Sequence, residues 1–205
     1  MLMARRQRGL TLIEFMVGML IAGILAALAV PSFRTWIQNT QVRNGAESMM
    51  TGLQLARSEA VHLNTLVRFN LISTTGTTDW EICAPAPGVP AASPCPTGAT
   101  VIQRGVSQDG APNARIGVYK LLDGQPQTNF ATVIAPGNEL PAHVTFNGLG
   151  QTVNDGPDDI VRIDVTSAVL PAARRLVVLV DNPGGGVRMC DPALTASNPT
   201  DPSAC

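Results

Sequence analysis

The hydrophobic pattern changes character twice along the chain. From Leu10 to Val30 it is continuous: 21 residues carry one charge, Glu14, and the run stops at Pro31. At ~1.5 Å per helical residue this stretch spans ~31 Å, close to one bilayer core. Past Pro31 the apolar positions become periodic, with Val42, Ala46, Met49, Leu53, Ala56, Ala60 and Leu63 recurring at alternating steps of four and three. That spacing draws one stripe on an amphipathic helix, and Gln41, Arg43, Asn44, Glu47 and Arg57 fall on its polar side. One long helix is predicted, membrane-spanning over 10–31 and amphipathic over 32–64, whose stripe is the core side of a globular domain. Gly45 and Gly52 lie inside it; each weakens a helix by ~1 kcal/mol relative to Ala, so they mark close packing or bending.

From residue 65 onward the helical period is lost and short β-type runs follow: Leu66–Ile72, Trp80–Cys83, Val101–Arg104, Ile116–Leu122, Thr132–Ile134, His143–Phe146, Ile160–Val165 and Leu176–Val180. Ile160–Val165 alternates apolar and polar, which suits a half-exposed strand, whereas Leu176–Val180 is apolar throughout and suits a buried one. Five prolines between Ala84 and Gly98 exclude a central strand there, and the tail from Asn182 is likewise rich in Pro and Gly. The expected fold is α+β: the long N-terminal helix packed on a two-sheet antiparallel β domain over 65–205.

Charge orients the chain. Arg5, Arg6 and Arg8 precede the apolar run with no acid among them, and such a cluster stays cytoplasmic while the sequence beyond the span is exported. A secretory signal has a shorter apolar region and is cut after it. Here the natural cut, after Gly9, comes before the run and leaves it on the mature chain with Glu14 as fifth residue. A carboxylate at that depth costs ~2.5 kcal/mol or more unless neutralised. A new α-amino group, on this chain or on a neighbour, is the candidate partner. Loss of the leader takes the basic residues from 14 to 11 against 15 acids, a net charge of −4. That balance argues against a broadly basic nucleic-acid surface and leaves room only for a local one.

The remaining ~175 residues make one soluble domain, and 14% charged residues with 19 Gly and 16 Pro predict strands, turns and polar loops. All four cysteines lie beyond the span, as expected for disulfides formed in an oxidising compartment. Of the three pairings, Cys83–Cys95 and Cys190–Cys205 each close a short proline-containing loop and are expected. A zinc site lacks both the usual cysteine spacing and a nearby histidine. His62, on the helix, and His143, opening a strand, read as surface or packing residues; no phosphate-binding loop, HExxH or G-x-S-x-G occurs. The chain is not expected to be an enzyme, and no cofactor is expected. Asn154–Asp159 gathers three carboxylates, which suits either a polar hairpin turn or hard oxygen ligands for Ca²⁺.

The stretch RGLTLIEFMVGMLIAGILAALAVP resembles the class III leader and N-terminal helix of type IV pilins and type II secretion pseudopilins. The resemblance implies cleavage after Gly9 by prepilin peptidase, methylation of Leu10 (where Phe is commoner), docking into a filament through Glu14, and a helix bend at Pro31. It also implies an inner-membrane protein with a periplasmic C-terminal domain, whose partners are other pilins or pseudopilins. Val144–Gln151 and the close of the chain, Arg174–Val180 with Gly184–Cys190, resemble the H-type pseudopilin and FimT-type minor pilins (GspH/FimT). Some of these bind DNA through a C-terminal Gly-Arg-x-Arg element, onto which Gly185 and Arg188 align; Gly186 stands where the first Arg would be. This makes DNA binding the alternative function, with Arg188 as the contact and Arg174 and Arg175 as compensating cations.

Overall fold

The computed structural model describes residues 11–84, 95, 99–121, 129–154, 159–197 and 200–205. The chain divides into two compact units, Met1–Ile37 and Gln38–Cys205. Helix α1 runs from Leu12 to Leu63. Its start is capped by Thr11, and its end is a left-handed turn at Asn64, whose φ is 48°. There the amides of Asn64 and Thr65 return to the carbonyls of Val61 and Ala60 at 3.3 and 3.2 Å, satisfying carbonyls that a helix end leaves bare. In the first unit the apolar side chains from Leu12 to Val30 are exposed, and this part of α1 is long and apolar enough to cross a membrane.

In the second unit two antiparallel sheets share one core. The first contains β1 (Val67–Leu71), β2 (Trp80–Ala84), β3 (Thr100–Gly105), β5 (Ala142–Phe146) and β6 (Thr152–Val153), in the order β3-β2-β1-β5-β6. The second orders β4 (Ala114–Lys120), β7 (Ile160–Ser167), β8 (Leu176–Val180) and β9 (Val187–Cys190) as β4-β7-β8-β9. A short helix, α2 (Pro192–Ser197), follows β9. The helical stripe is buried from Val42 to Ala60 and forms one cluster with Phe69, Ile82 and Phe146 of the first sheet and Ile116, Ile163 and Val178 of the second. Leu63, expected at the end of this stripe, is exposed instead, because the chain is already turning at Asn64.

Gly45 and Gly52 explain how one helix reaches both sheets. A Cβ on Gly52 would sit 2.7 Å from the Phe69 ring and 3.0 Å from Trp80, whereas one on Gly45 would sit 3.0 Å from Ala114 of β4. Both glycines therefore mark close packing. Trp80 closes the same layer by donating from Nε1 to Ser48 Oγ on α1 at 3.0 Å.

Two further expectations are corrected. Thr132–Ile134 is not a strand but part of an irregular segment. The Pro- and Gly-rich tail contains two elements the sequence pattern does not predict, β9 and α2. Ile160–Val165 is buried on both faces: its polar alternates, Arg162 and Asp164, are covered by that same segment, whose Ile134 amide donates to Asp164 at 3.1 Å.

Two measurements follow from this packing. Gly52→Val should lower stability by about 1–3 kcal/mol through overpacking, although Val outranks Gly in a helix. Gly18→Ala, whose Cβ meets nothing within 4 Å, should not; thermal unfolding of the detergent-solubilised chains compares them. Burial pushes the Asp79 carboxyl up, but the Ser107 amide at 2.6 Å, the Thr77 hydroxyl at 2.6 Å and the Arg115 charge outweigh it and hold it below the usual carboxylate range. A depressed folded pKa contributes stability above the unfolded pKa and loses it as pH falls through the folded one. The stability gap between wild type and Asp79→Asn should therefore be full at neutral pH and close in acid below about pH 4.

Candidate functional site

Gly9 and Leu10, the expected processing residues, lie outside the described residues. The first described turn shows what Glu14 does within a single chain. Its amide donates to Thr11 Oγ1 at 3.3 Å, while the Thr11 amide and hydroxyl reach Glu14 Oε2, each at 3.4 Å. This reciprocal Thr-x-x-Glu arrangement is a capping box, which also places a carboxylate at the positive end of the helix. The signal for it is the Thr-x-x-Glu spacing of Thr11 and Glu14 in the sequence, which the expected role of Glu14 as a charge in lipid does not use. Both side chains stay exposed, so the carboxylate remains accessible. Farther along, Pro31 sits inside α1, removing one helical N–H, and its own carbonyl accepts from Thr35 Oγ1 at 3.3 Å.

The three candidate DNA-contacting arginines are held in different ways. Arg188 is exposed on β9, in register with Leu179. Arg174 and Arg175 precede the opposite end of β8, and both are engaged. Arg174 Nε lies 2.5 Å from Asp191 Oδ2. Arg175 donates to Asp164 Oδ2 at 2.8 Å, to the Thr132 carbonyl at 3.1 Å and to the Phe130 carbonyl. Asp164 is fully buried and also holds Arg162, at 2.6 Å from Oδ1. Arg162 then binds the Asn129 and Thr132 carbonyls, each at 2.9 Å, with its guanidinium 5.0 Å over the Phe130 ring. Arg174 and Arg175, expected as compensating cations, each have a task within the chain: one clips the C-terminal tail through Asp191, and the other straps the 129–134 segment onto the second sheet.

The glycine run has a structural task. Asp181 and Gly186 close a turn, with N–H to O distances of 2.7 Å from Asp181 to Gly186 and from Gly185 to Asp181. Gly185 has φ 69°, and a Cβ there would overlap the Gly150 carbonyl oxygen. Only glycine fits. Arg57 of α1 ties the two turns together, donating to the Gly150 carbonyl at 2.9 Å and to that of Gly184 at 3.5 Å.

Both cysteine pairs are bonded, Cys83–Cys95 and Cys190–Cys205. The second holds the tail beside β9, where the Asp191 amide donates to the Ser203 carbonyl at 2.7 Å. On the outer face of the first sheet β1, β2 and β5 carry buried polar side chains. There Arg68 donates to Thr145 at 3.0 Å, Glu81 accepts from the exposed Arg104 of β3 at 3.1 Å, and His143 Nε2 lies 3.7 Å from Asp159. His62 is exposed, 4.0 Å from Glu59. Residues 155–158 of the carboxylate turn lie outside the described residues, while Asp159 is buried beside His143. Among the described residues no group of three or more His, Cys, Asp or Glu side chains is placed to hold a metal ion.

Two family models match the sequence: one described as the prokaryotic N-terminal methylation motif, over residues 4–30, and one described as Type II transport protein GspH, over residues 45–185. Among curated relatives, the type IV major fimbrial protein FimA of Dichelobacter nodosus is 47% identical over 49 residues, 24% of this chain and 30% of that protein. A fimbrial protein of Pseudomonas aeruginosa is 40% identical over 57 residues, 28% of this chain and 36% of that protein. The match thus spans about a third of these relatives. Two crystal structures of the Pseudomonas aeruginosa type IV minor pilin FimU align at 17% identity over 72% of this chain, covering 87% and 90% of theirs, with TM-scores of 0.45 and 0.42.

The arginines separate by mutation. Arg162→Ala strips a partner from a buried carboxylate and should cost about 3–5 kcal/mol. Arg188→Ala should stay within about 0.5 kcal/mol of wild type, as exposed sites do. Chemical denaturation reads both.

Proposed function

Because the chain belongs to the Type II transport protein GspH family, whose model covers residues 45–185, we propose that it is a minor pilin or pseudopilin. In this reading residues 1–9 are a leader removed by prepilin peptidase, and Leu10 becomes the methylated N-terminus. Residues 10–31 cross the inner membrane with the N-terminus cytoplasmic, 32–64 form the amphipathic half of the helix, and 65–205 are the periplasmic domain. The subunit then assembles with other pilins into a filament through its apolar helix. Its task is assembly rather than catalysis.

The observation that carries the reading is the fully exposed apolar half of α1, which begins directly behind a basic leader and bears Glu14 five residues past Gly9. A surface of that kind has to be covered by lipid or by other helices. DNA binding is the less supported reading, since of the three candidate arginines only Arg188 is left uncommitted by the described contacts.

Gly9→Leu should block processing, so that the chain keeps its precursor mobility on a gel; maturation to wild-type size would refute the leader assignment. Glu14→Ala should be processed and inserted normally yet recovered poorly in sheared filament fractions. In gel-shift titration of the intact protein with short duplex DNA at low salt, no Arg188-dependent shift is expected. A low-salt shift abolished in Arg188→Ala would restore the DNA-binding reading.

A further inference from the structure

The turn of α1 that follows the apolar run has a composition unlike its neighbours. Leu12 to Pro31 rises ~29 Å at ~1.5 Å per residue, which accounts for one hydrocarbon core of ~30 Å. The next residues are Ser32, Phe33, Arg34, Thr35 and Trp36, and Arg34 is the first Lys or Arg after Arg8. Phe33 and Trp36 are 60% and 62% exposed, and their rings stack with centroids 5.7 Å apart and an interplanar angle of 28°. With Ala26, Ala29, Val30 and Arg34 they line a single hollow on the helix surface.

We propose that Phe33, Arg34 and Trp36 bind the headgroup layer at the periplasmic face of the membrane and fix the depth of the helix before assembly. The proposal rests on the membrane-spanning reading given above. Three properties select lipid headgroups as the occupant. The cluster begins within one turn of the point where a core-length apolar run ends. Trp rings concentrate at the level between acyl chains and water, where an apolar body and a polar N–H are both satisfied. Arg34 makes no ion pair among the described residues, and its guanidinium matches the bidentate geometry of a phosphate while its stem lies along apolar surface. A second copy packed in register would set Arg34 against Arg34, a like-charge contact that an anionic headgroup avoids.

The chain contains two tryptophans, and Trp80 is buried in the domain core. Full-length Trp80→Phe therefore reports Trp36 alone. Reconstituted in vesicles of phosphatidylethanolamine and phosphatidylglycerol, it should show blue-shifted emission. Quenching should be strongest with lipid brominated next to the glycerol, and weaker with lipid brominated at the chain end or with aqueous iodide. Arg34→Gln should weaken the dependence of that profile on phosphatidylglycerol. Should Trp80→Phe fold poorly, the difference in quenching between wild type and Trp36→Phe gives the same depth.

Each other result overturns the proposal. Iodide quenching alone, from a chain that still floats with the vesicles, places Trp36 in water and leaves the span intact. Strongest quenching at the chain end places it inside the core. Protection from every quencher that rises with the protein-to-lipid ratio assigns the cluster to helix packing between copies. A chain that fails to float removes the membrane-spanning reading as well.

Discussion

Helix α1 comes close to the first sheet at Gly52 and to the second at Gly45, and on this double approach the rest of the domain depends. The two positions lie seven residues apart, two helical turns, so they share the face that also carries Val42, Ala46, Met49, Leu53, Ala56 and Ala60. A larger side chain at either glycine would push a sheet away and open the shared cluster, and interiors tolerate little change in volume. The remaining layers are fixed from outside. Asp164 and its two arginines hold the 129–134 segment on one sheet, and Arg57 pins the Gly150 and Gly185 turns where the two sheets end.

The helix and the strand set were legible because burial imposes periods on sequence: 3.6 for the stripe, continuous apolarity for Leu176–Val180. What stayed illegible was polar burial. Arg162 and Asp164 alternate with Val161, Ile163 and Val165 in the pattern of a solvent-facing edge, and only the covering segment turns that face inward; periodicity reports which residues are apolar, not what lies over the others. Strand β9 was hidden for a similar reason, since Val187, Arg188, Met189 and Cys190 are too few and too mixed to show a period, and pairing with β8 defines them.

The candidate positions divide in the same way. The proposed leader, the apolar run and Glu14 are local signals, readable in a single stretch of sequence. The arginines depend on partners 11 and 17 residues away, Asp164 for Arg175 and Asp191 for Arg174, and a count of nearby positive charges carries no information about them. In the glycine run the cation, Arg188, is the local signal, whereas Gly185 answers to the Gly150 carbonyl on another turn.

The capping box gives Glu14 a prior occupation. Both Thr11 donors reach the same oxygen, Oε2, at 3.4 Å, and none of the described contacts falls on Oε1. The helix end thus holds the carboxylate by one side and leaves the other open outward. A cation approaching from outside would meet an anion whose direction is fixed beforehand, with the rotamer freedom of the Glu14 side chain given up in closing the box instead of in the encounter.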